Sequence, residues 1–291
     1  MTEQSRKVLL VVHPSRREAL VAAQELVEDF TGKEFVFYSP SQVRISGVTH
    51  VVSTDVEKWL PETELALIFG GDGTILRGAE LVRGTQIPVL GVNVGHVGFL
   101  AQIDKPTRNA LVEAIVNKTY TAEKRMVLQY EVQRNEQRFD FGWALNEVTI
   151  ERNTEAMVEL FVQVDHRPLS RWGCDGVICA TPTGSTAYAF SAGGPIVWPE
   201  VEALVLLPLA AHALFSRPMV ISPDSTIAID IESDEAVLSA DGLRKVQLQE
   251  HDRIILTSDK KSIYLAHIEE PIFTDRLVAK FKLPVEGWRG E

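Results

Sequence analysis

Over the first 120 residues, short apolar runs alternate with segments of helical spacing. Lys7 to His13, Phe35 to Tyr38, Thr49 to Val52, Leu65 to Phe69 and Pro88 to Asn93 are too short for helices and read as buried strands. Between them, Ser15-Arg16-Arg17-Glu18 has the capping-box pattern and opens a helix expected to end near Gly32. Thr74 to Val82 predicts a second helix capped by Thr74, and Thr107 to Asn117 a third capped by Thr107. Strands alternating with helices imply a parallel sheet with helices on its faces, and such sheets bind ligands beyond the carboxyl ends of their strands. Asp72 and Asn93 fall at such ends.

The period then changes. Tyr130 to Gln133, Glu159 to Val164, Thr226 to Ile231 and Arg253 to Leu256 are short, mostly alternating segments between polar turns, the pattern of an all-β domain. One helix is expected there, after Gly184, and Phe273 to Phe281 is helical again. The expected organisation is an α/β domain over residues 1–120, a mostly β domain over 121–267, and a tail, 268–291, that packs back on the first domain.

The bulk properties narrow the function. The chain has 291 residues, 45% hydrophobic and 24% charged, within the globular range. A net charge of −11 argues against a general nucleic-acid binder, so any phosphate site must be local. The apolar runs Val8 to Val12 and Leu204 to Phe215 are too short for a signal core or a membrane span, and a cytoplasmic protein is expected. Cys174 and Cys179, at odd spacing in one apparent strand region, point to opposite faces and form no disulfide.

Candidate chemistry starts at Gly70-Gly71-Asp72-Gly73-Thr74. A strand ending in a turn of almost no side-chain bulk lets backbone N–H groups approach anionic phosphate oxygens. A carboxylate there makes sense if Asp72 acts on a hydroxyl or holds a metal. Asn146-Glu147, between apolar Leu145 and Val148, is a polar strand edge or a pair that binds sugar hydroxyls and base edges. The run Cys174 to Pro195 holds an Asp175-Gly176 turn, a strand and then Thr181-Pro182-Thr183-Gly184-Ser185-Thr186-Ala187-Tyr188. Its hydroxyls exceed what helix capping needs and suggest a polar, phosphate-bearing ligand, with Tyr188 placed to stack or hydrogen-bond. Arg16, Arg17 and Arg77 offer positive charge to phosphates or simply a solvated surface. His212, in the apolar company of Ala210 to Phe215, reads most simply as a core histidine, and is also carried as a substrate-binding candidate. Asp241-Gly242 reads as a hairpin turn.

In this order and spacing, Gly-Gly-Asp-Gly-Thr, Gly95-x-x-Gly98-Phe99-Leu100, Asn146-Glu147 and Asp175-Gly176 with the Thr181 to Tyr188 run closely resemble the bacterial NAD kinase family. The Phe281 to Gly290 tail looks like that of its actinobacterial branch. Gly-Gly-Asp-Gly alone is shared with diacylglycerol, sphingosine and phosphofructo-type kinases. The resemblance implies an α/β domain, a β-rich domain and a cleft between them. It also implies transfer of the terminal phosphate of ATP to the 2′-hydroxyl of the adenosine ribose of NAD. Asp72 matches the proposed general base, Gly73 its backbone contact, Asn146 and Glu147 the ribose and adenine contacts, and Asp175 the acid near the nicotinamide riboside. Thr186, Ala187, Tyr188, Ala189, Phe190 and Ser191 match the adenine-side pocket. Mg²⁺ or another divalent cation accompanies the nucleotide, polyphosphate is an alternative donor, and a homodimer or homotetramer is expected. Gly173 stands where many members carry a basic residue, which implies some use of NADH. A lipid kinase sharing the Gly-Gly-Asp-Gly turn and a non-catalytic dinucleotide sensor are the alternatives; the hydroxyl-rich segment speaks against the first.

Overall fold

The structure is a computed structural model and describes residues 5–40, 43–93, 98–100, 107–233, 235–269 and 272–285. The chain divides into two compact units, one formed by residues up to Lys124 together with those from Ile263 on, the other by Arg125–Ser262.

The first unit opens β1 (Arg6–Val12), α1 (Arg17–Asp29), β2 (Phe35–Ser39), β3 (Val48–His50), β4 (Thr63–Phe69), α2 (Asp72–Val82), β5 (Val89–Val92), α3 (Arg108–Asn117) and β6 (Thr121–Arg125). Its strands run in the order β3-β2-β1-β4-β5, all parallel. Strand β4 is buried on both faces, which explains why Leu65 to Phe69 reads as an unbroken apolar run rather than an alternating one. Leu65, Leu67 and Phe69 pack with Ala23 and Leu26 of α1 and Leu111 and Ile115 of α3. On the other face α2 lies so close that a Cβ at Gly78 would sit 2.4 Å from Ile68 Cδ1. The strand order reverses direction between β1 and β4, the position where sheets of this kind leave a crevice for ligand.

The helix starts differ in part from expectation. Thr107 does cap α3, accepting the Ala110 N–H at 3.2 Å. No side chain caps α1, whose N-cap is Arg16, while the Ser15 N–H donates to His13 Nδ1. Helix α2 starts at Asp72 with Gly71 as N-cap, so Thr74 lies inside the helix. Two glycines let the chain turn at once from strand to helix, and the cap, Gly71, falls three residues before the first hydroxyl, Thr74.

The second unit is built from two six-stranded sheets whose paired strands are antiparallel. One contains β7 (Leu128–Arg134), β8 (Gln137–Ala144), β10 (Val158–Val164), β11 (Arg167–Cys174), β15 (Ile227–Ile231) and β18 (Arg253–Ser258). The other contains β9 (Glu147–Arg152), β12 (Gly176–Ala180), β13 (Leu204–Leu209), β14 (Met219–Ile221), β16 (Glu235–Ala240) and β17 (Arg244–Gln249). Leu160, Val162, Trp172 and Ile229 from the first sheet meet Val148, Ile150, Val177 and Leu206 from the second in one core. The outer face of β12 is covered by Ala189 and Val197, from the short helix α4 (Tyr188–Ser191) and the segment after it. Cys174 and Cys179 are both buried and free, but on different strands of different sheets, because Asp175-Gly176 carries the chain from one sheet to the other. Both belong to the core between the sheets, which corrects the single-strand reading.

The chain then returns to the first sheet. Strand β19 (Ile263–His267) pairs with β5 in parallel, so the return precedes residue 267 by one strand. Helix α5 follows with the expected bounds, Phe273–Phe281, and buries Arg276 and Leu277. Residues 286–291, which include half of the tail resemblance, and Gly95 to Val97 lie outside the described residues.

Candidate active site

The turn between β4 and α2 is closed by contacts that only small residues allow. A Cβ on Gly70 would lie 2.4 Å from Thr74 Oγ1. Asp72, the first residue of α2, turns its carboxylate onto a neighbouring loop: Phe99 N–H donates to Oδ2 at 3.0 Å and Leu100 N–H to Oδ1 at 3.2 Å. A Cβ on Gly98 would stand 2.1 Å from Asp72 Oδ1, so the loop can embrace the carboxylate only with glycine there. Two motifs that look separate in sequence are therefore one structure, the first supplying a carboxylate and the second the N–H groups that orient it.

Around that carboxylate, Gly73 is exposed at the start of the helix and Arg77 is exposed one turn on, while Thr74 and Asn93 are buried. Arg16, at the carboxyl end of β1, brings a guanidinium nitrogen within 3.7 Å of the position a Cβ on Gly71 would take. Sequence reasoning left Arg16 undecided between a phosphate ligand and a surface residue; the strand order brings it beside the turn. The first turn of an eleven-residue helix and a guanidinium together favour anionic oxygens at this end of the sheet. A surface depression lined by Leu60, Thr63, Glu64 and Ile87 sits at the opposite, amino end of β4 and has no part in this constellation.

In the second unit Asn146, Glu147 and the Thr181 to Thr186 run gather at one end of β9 and β12, with Asp175 at the other end. Gly184 lies so close to Asn146 that a Cβ would be 2.0 Å from the Asn146 carbonyl oxygen. Thr181 N–H donates to that same carbonyl at 2.9 Å. The hydroxyls of the run are engaged inside the protein: Thr181 Oγ1 donates to the Leu145 carbonyl, Ser185 Oγ to Pro182, and Thr186 Oγ1 to Thr183. One of these bonds ties the loop to the residue before Asn146, and the other two close the loop on itself.

Glu147 is 8% exposed, and its Oε2 has no hydrogen-bond partner among the described residues. Burial, with the charge of Asp241 beside it, pushes its carboxyl up to about 8, opposed by the backbone N–H of Tyr188. Asp241 is part of the hairpin between β16 and β17, as expected. Its side chain does more than turn the chain, taking N–H donors from Leu145 and Asn146 at 2.8 Å each and from Glu147 at 3.3 Å. Burial raises the Asp241 carboxyl too, but those N–H groups and Arg244 oppose the rise. The N–H groups and Arg244 favour the charged form of Asp241, while burial beside that charge favours the protonated form of Glu147. Asp241 was missed by sequence reasoning because its partners are almost a hundred residues away.

Tyr188 spans the face of β9. Its OH donates to Glu151 Oε1 at 2.9 Å, and burial together with Glu151 pushes the phenol up to about 12. Asp175 pairs with Arg152 at 2.8 Å, so Glu151 and Arg152 join the group without any motif to announce them. Ala189 is buried beneath, whereas Phe190 and Ser191 are exposed and Ala187 is half-buried. His212 is exposed, not a core residue, and its backbone N–H donates to the Gly173 carbonyl. The apolar neighbours Leu214 and Phe215 are themselves exposed, so an apolar stretch of sequence did not mean burial there.

Comparison with known proteins bears on the whole chain. Residues 8–120 match the family model of the ATP-NAD kinase N-terminal domain, and residues 145–268 that of the ATP-NAD kinase C-terminal domain. An NAD kinase of Thermobifida fusca is 45% identical, covering 98% of this chain and 92% of the relative. NAD kinase 2 of Streptomyces avermitilis is 42% identical, covering 99% and 98%, and the NAD kinase of Mycobacterium tuberculosis 43%, covering 98% and 99%. Among solved structures, yeast NADH kinase complexed with NADH superposes with a TM-score of 0.87 over 100% of this chain and 91% of that one, at 23% identity. An NAD kinase from Archaeoglobus fulgidus in complex with ATP gives 0.67 over 91% and 94%, at 25% identity. With both halves matched by its two domain models and relatives aligned over nearly their whole length, the chain belongs to the NAD kinase family.

Proposed function

We propose that this enzyme, an ATP-dependent NAD kinase by family, uses Asp72 as the general base that activates the 2′-hydroxyl of the adenosine ribose of NAD. The observation that carries the reading is the grip of the Phe99 and Leu100 N–H groups on the Asp72 carboxylate at the switch point of a parallel sheet. Each carboxylate oxygen accepts one N–H and keeps lone-pair capacity for a hydroxyl proton. As the ribose oxygen bonds to the terminal phosphorus, its proton passes to Asp72, the bond to the bridging oxygen breaks, and ADP leaves. The start of α2 and Arg16 supply positive potential to the phosphates. Asn146, Glu147, Asp175 and Tyr188 are the groups of the second unit proposed to hold NAD, Asp175 towards the nicotinamide riboside.

Phosphoryl transfer needs the charge on the transferred group neutralised, which a divalent cation supplies. Mg²⁺ is commonly held by one or two carboxylates together with substrate phosphates. Among the described residues no group of three or more His, Cys, Asp or Glu converges on a metal position. Asp72 is the carboxylate at the turn, and the ion is proposed to arrive on the nucleotide.

Purified protein incubated with ATP, Mg²⁺ and NAD is expected to form NADP, and its absence across divalent cations and phosphate donors would refute the activity. Asp72→Asn is expected to fold and to lose about 10²–10⁴ in kcat, the usual contribution of general-base catalysis. Turnover near that of the unaltered enzyme would remove Asp72 from the role.

A further inference from the structure

We infer that Arg276, on the C-terminal helix, is a positioning residue for Asp72, acting through the peptide that joins Phe99 to Leu100. This rests on the general-base reading of Asp72. Leu100 N–H donates to Asp72 Oδ1, and the carbonyl of the same peptide unit, that of Phe99, accepts from Arg276 Nη1 at 2.5 Å. One rigid amide plane is thus held from both sides, by a guanidinium on its oxygen and a carboxylate on its hydrogen. A cation on the carbonyl polarises the amide and strengthens its N–H as a donor. It also opposes a flip of the peptide, which would turn the carbonyl oxygen onto the Asp72 carboxylate.

Arg276 is itself built in. Only 3% of it is exposed, uncommon for an arginine. Its Nη2 approaches His267 Nδ1 at 3.3 Å, and His267 Nε2 lies 3.0 Å from Glu123 Oε2. Arginine can only donate, so Nδ1 accepts and the ring proton resides on Nε2, donated to Glu123. The Phe99 ring completes the clamp between Phe273 and Phe281 of α5, with centroids at 6.3 and 5.6 Å. The last helix therefore fixes the loop that aims the base.

The test uses the full chain and a double-mutant cycle. Arg276→Met is expected to lower kcat roughly 10–100-fold, as about 1 Å of misplacement at a reacting group can, with NAD affinity and stoichiometry by calorimetry unchanged within about threefold. In an Asp72→Asn background the same change is expected to cost nothing further, because the group it positions is gone. Millimolar guanidinium should restore part of the activity of Arg276→Ala, where the same concentration of NaCl does not. Should Arg276→Met fail to fold, Arg276→Lys, which keeps the charge but cannot bridge Phe99 and His267, carries the same cycle. A full kcat in the Arg276 variants, or a loss equally large with and without Asp72, would overturn the inference. Activity retained in Asp72→Asn alone would instead overturn the general-base reading, so the two failures are told apart.

Discussion

Glu147 should make the enzyme lose stability as pH rises through neutrality, and Glu147→Gln should abolish that loss. Burial and the neighbouring charge of Asp241 lift its carboxyl from the ordinary 4.5 to about 8. The native state therefore keeps a proton that the unfolded chain releases. Stability is full below the unfolded value and falls as pH rises from about 4.5 towards 8, at about 1.4 kcal/mol per pH unit for one group. At pH 7 the loss amounts to about 3 kcal/mol, with relaxation of the site lowering it. Glutamine has the same shape and, like the protonated acid, offers a donor, but it does not titrate. Thermal unfolding of the two proteins from pH 5 to pH 8.5, without nucleotide, should give similar midpoints at pH 5. At about 2–4 °C per kcal/mol, the gap in favour of Glu147→Gln should open to several degrees by pH 8. A difference that stays constant with pH, or a variant that loses stability as steeply as the unaltered protein, would refute this account of Glu147.

Three further outcomes follow from the same contacts. Asp241→Asn replaces one of the two carboxylate oxygens that accept three backbone N–H groups with an amide NH2 and should destabilise the protein by about 1–3 kcal/mol in denaturant unfolding; removing that charge should also make the Glu147-dependent stability loss smaller, ending it at a lower pH. Gly98→Ala forces a methyl into the space of Asp72 Oδ1 and should depress kcat far more than NAD affinity, read by steady-state kinetics beside calorimetry. At Gly173 a Cβ would meet only Met157, at ordinary contact distance, so Gly173→Arg should fold normally and lower the ratio of NADH to NAD phosphorylation in parallel assays.

What was legible in the sequence was whatever depends on neighbours along the chain. The apolar run Leu65 to Phe69, bounded by glycines, specified a buried strand and a tight turn, and the change of hydrophobic period marked the passage from parallel sheet to paired antiparallel sheets. Thr107 announced its helix because a cap is a contact over three residues. The local signals failed where a contact beyond the element decided: Thr74 did not cap because two glycines let the helix start earlier, and His212 and Leu214 are exposed despite apolar neighbours. Strand order alone brought Arg16 to the Gly70 to Thr74 turn. Asp241 sits under Leu145 to Glu147, Arg276 reaches back to Phe99, and Gly98 meets Asp72, across separations of 26 to 177 residues. Motif spacing carries no information about such pairs, since chain separation does not fix distance in space. The sequence determined which residues are candidates for the chemistry, and the tertiary structure decided which backbone groups and buried charges surround those residues.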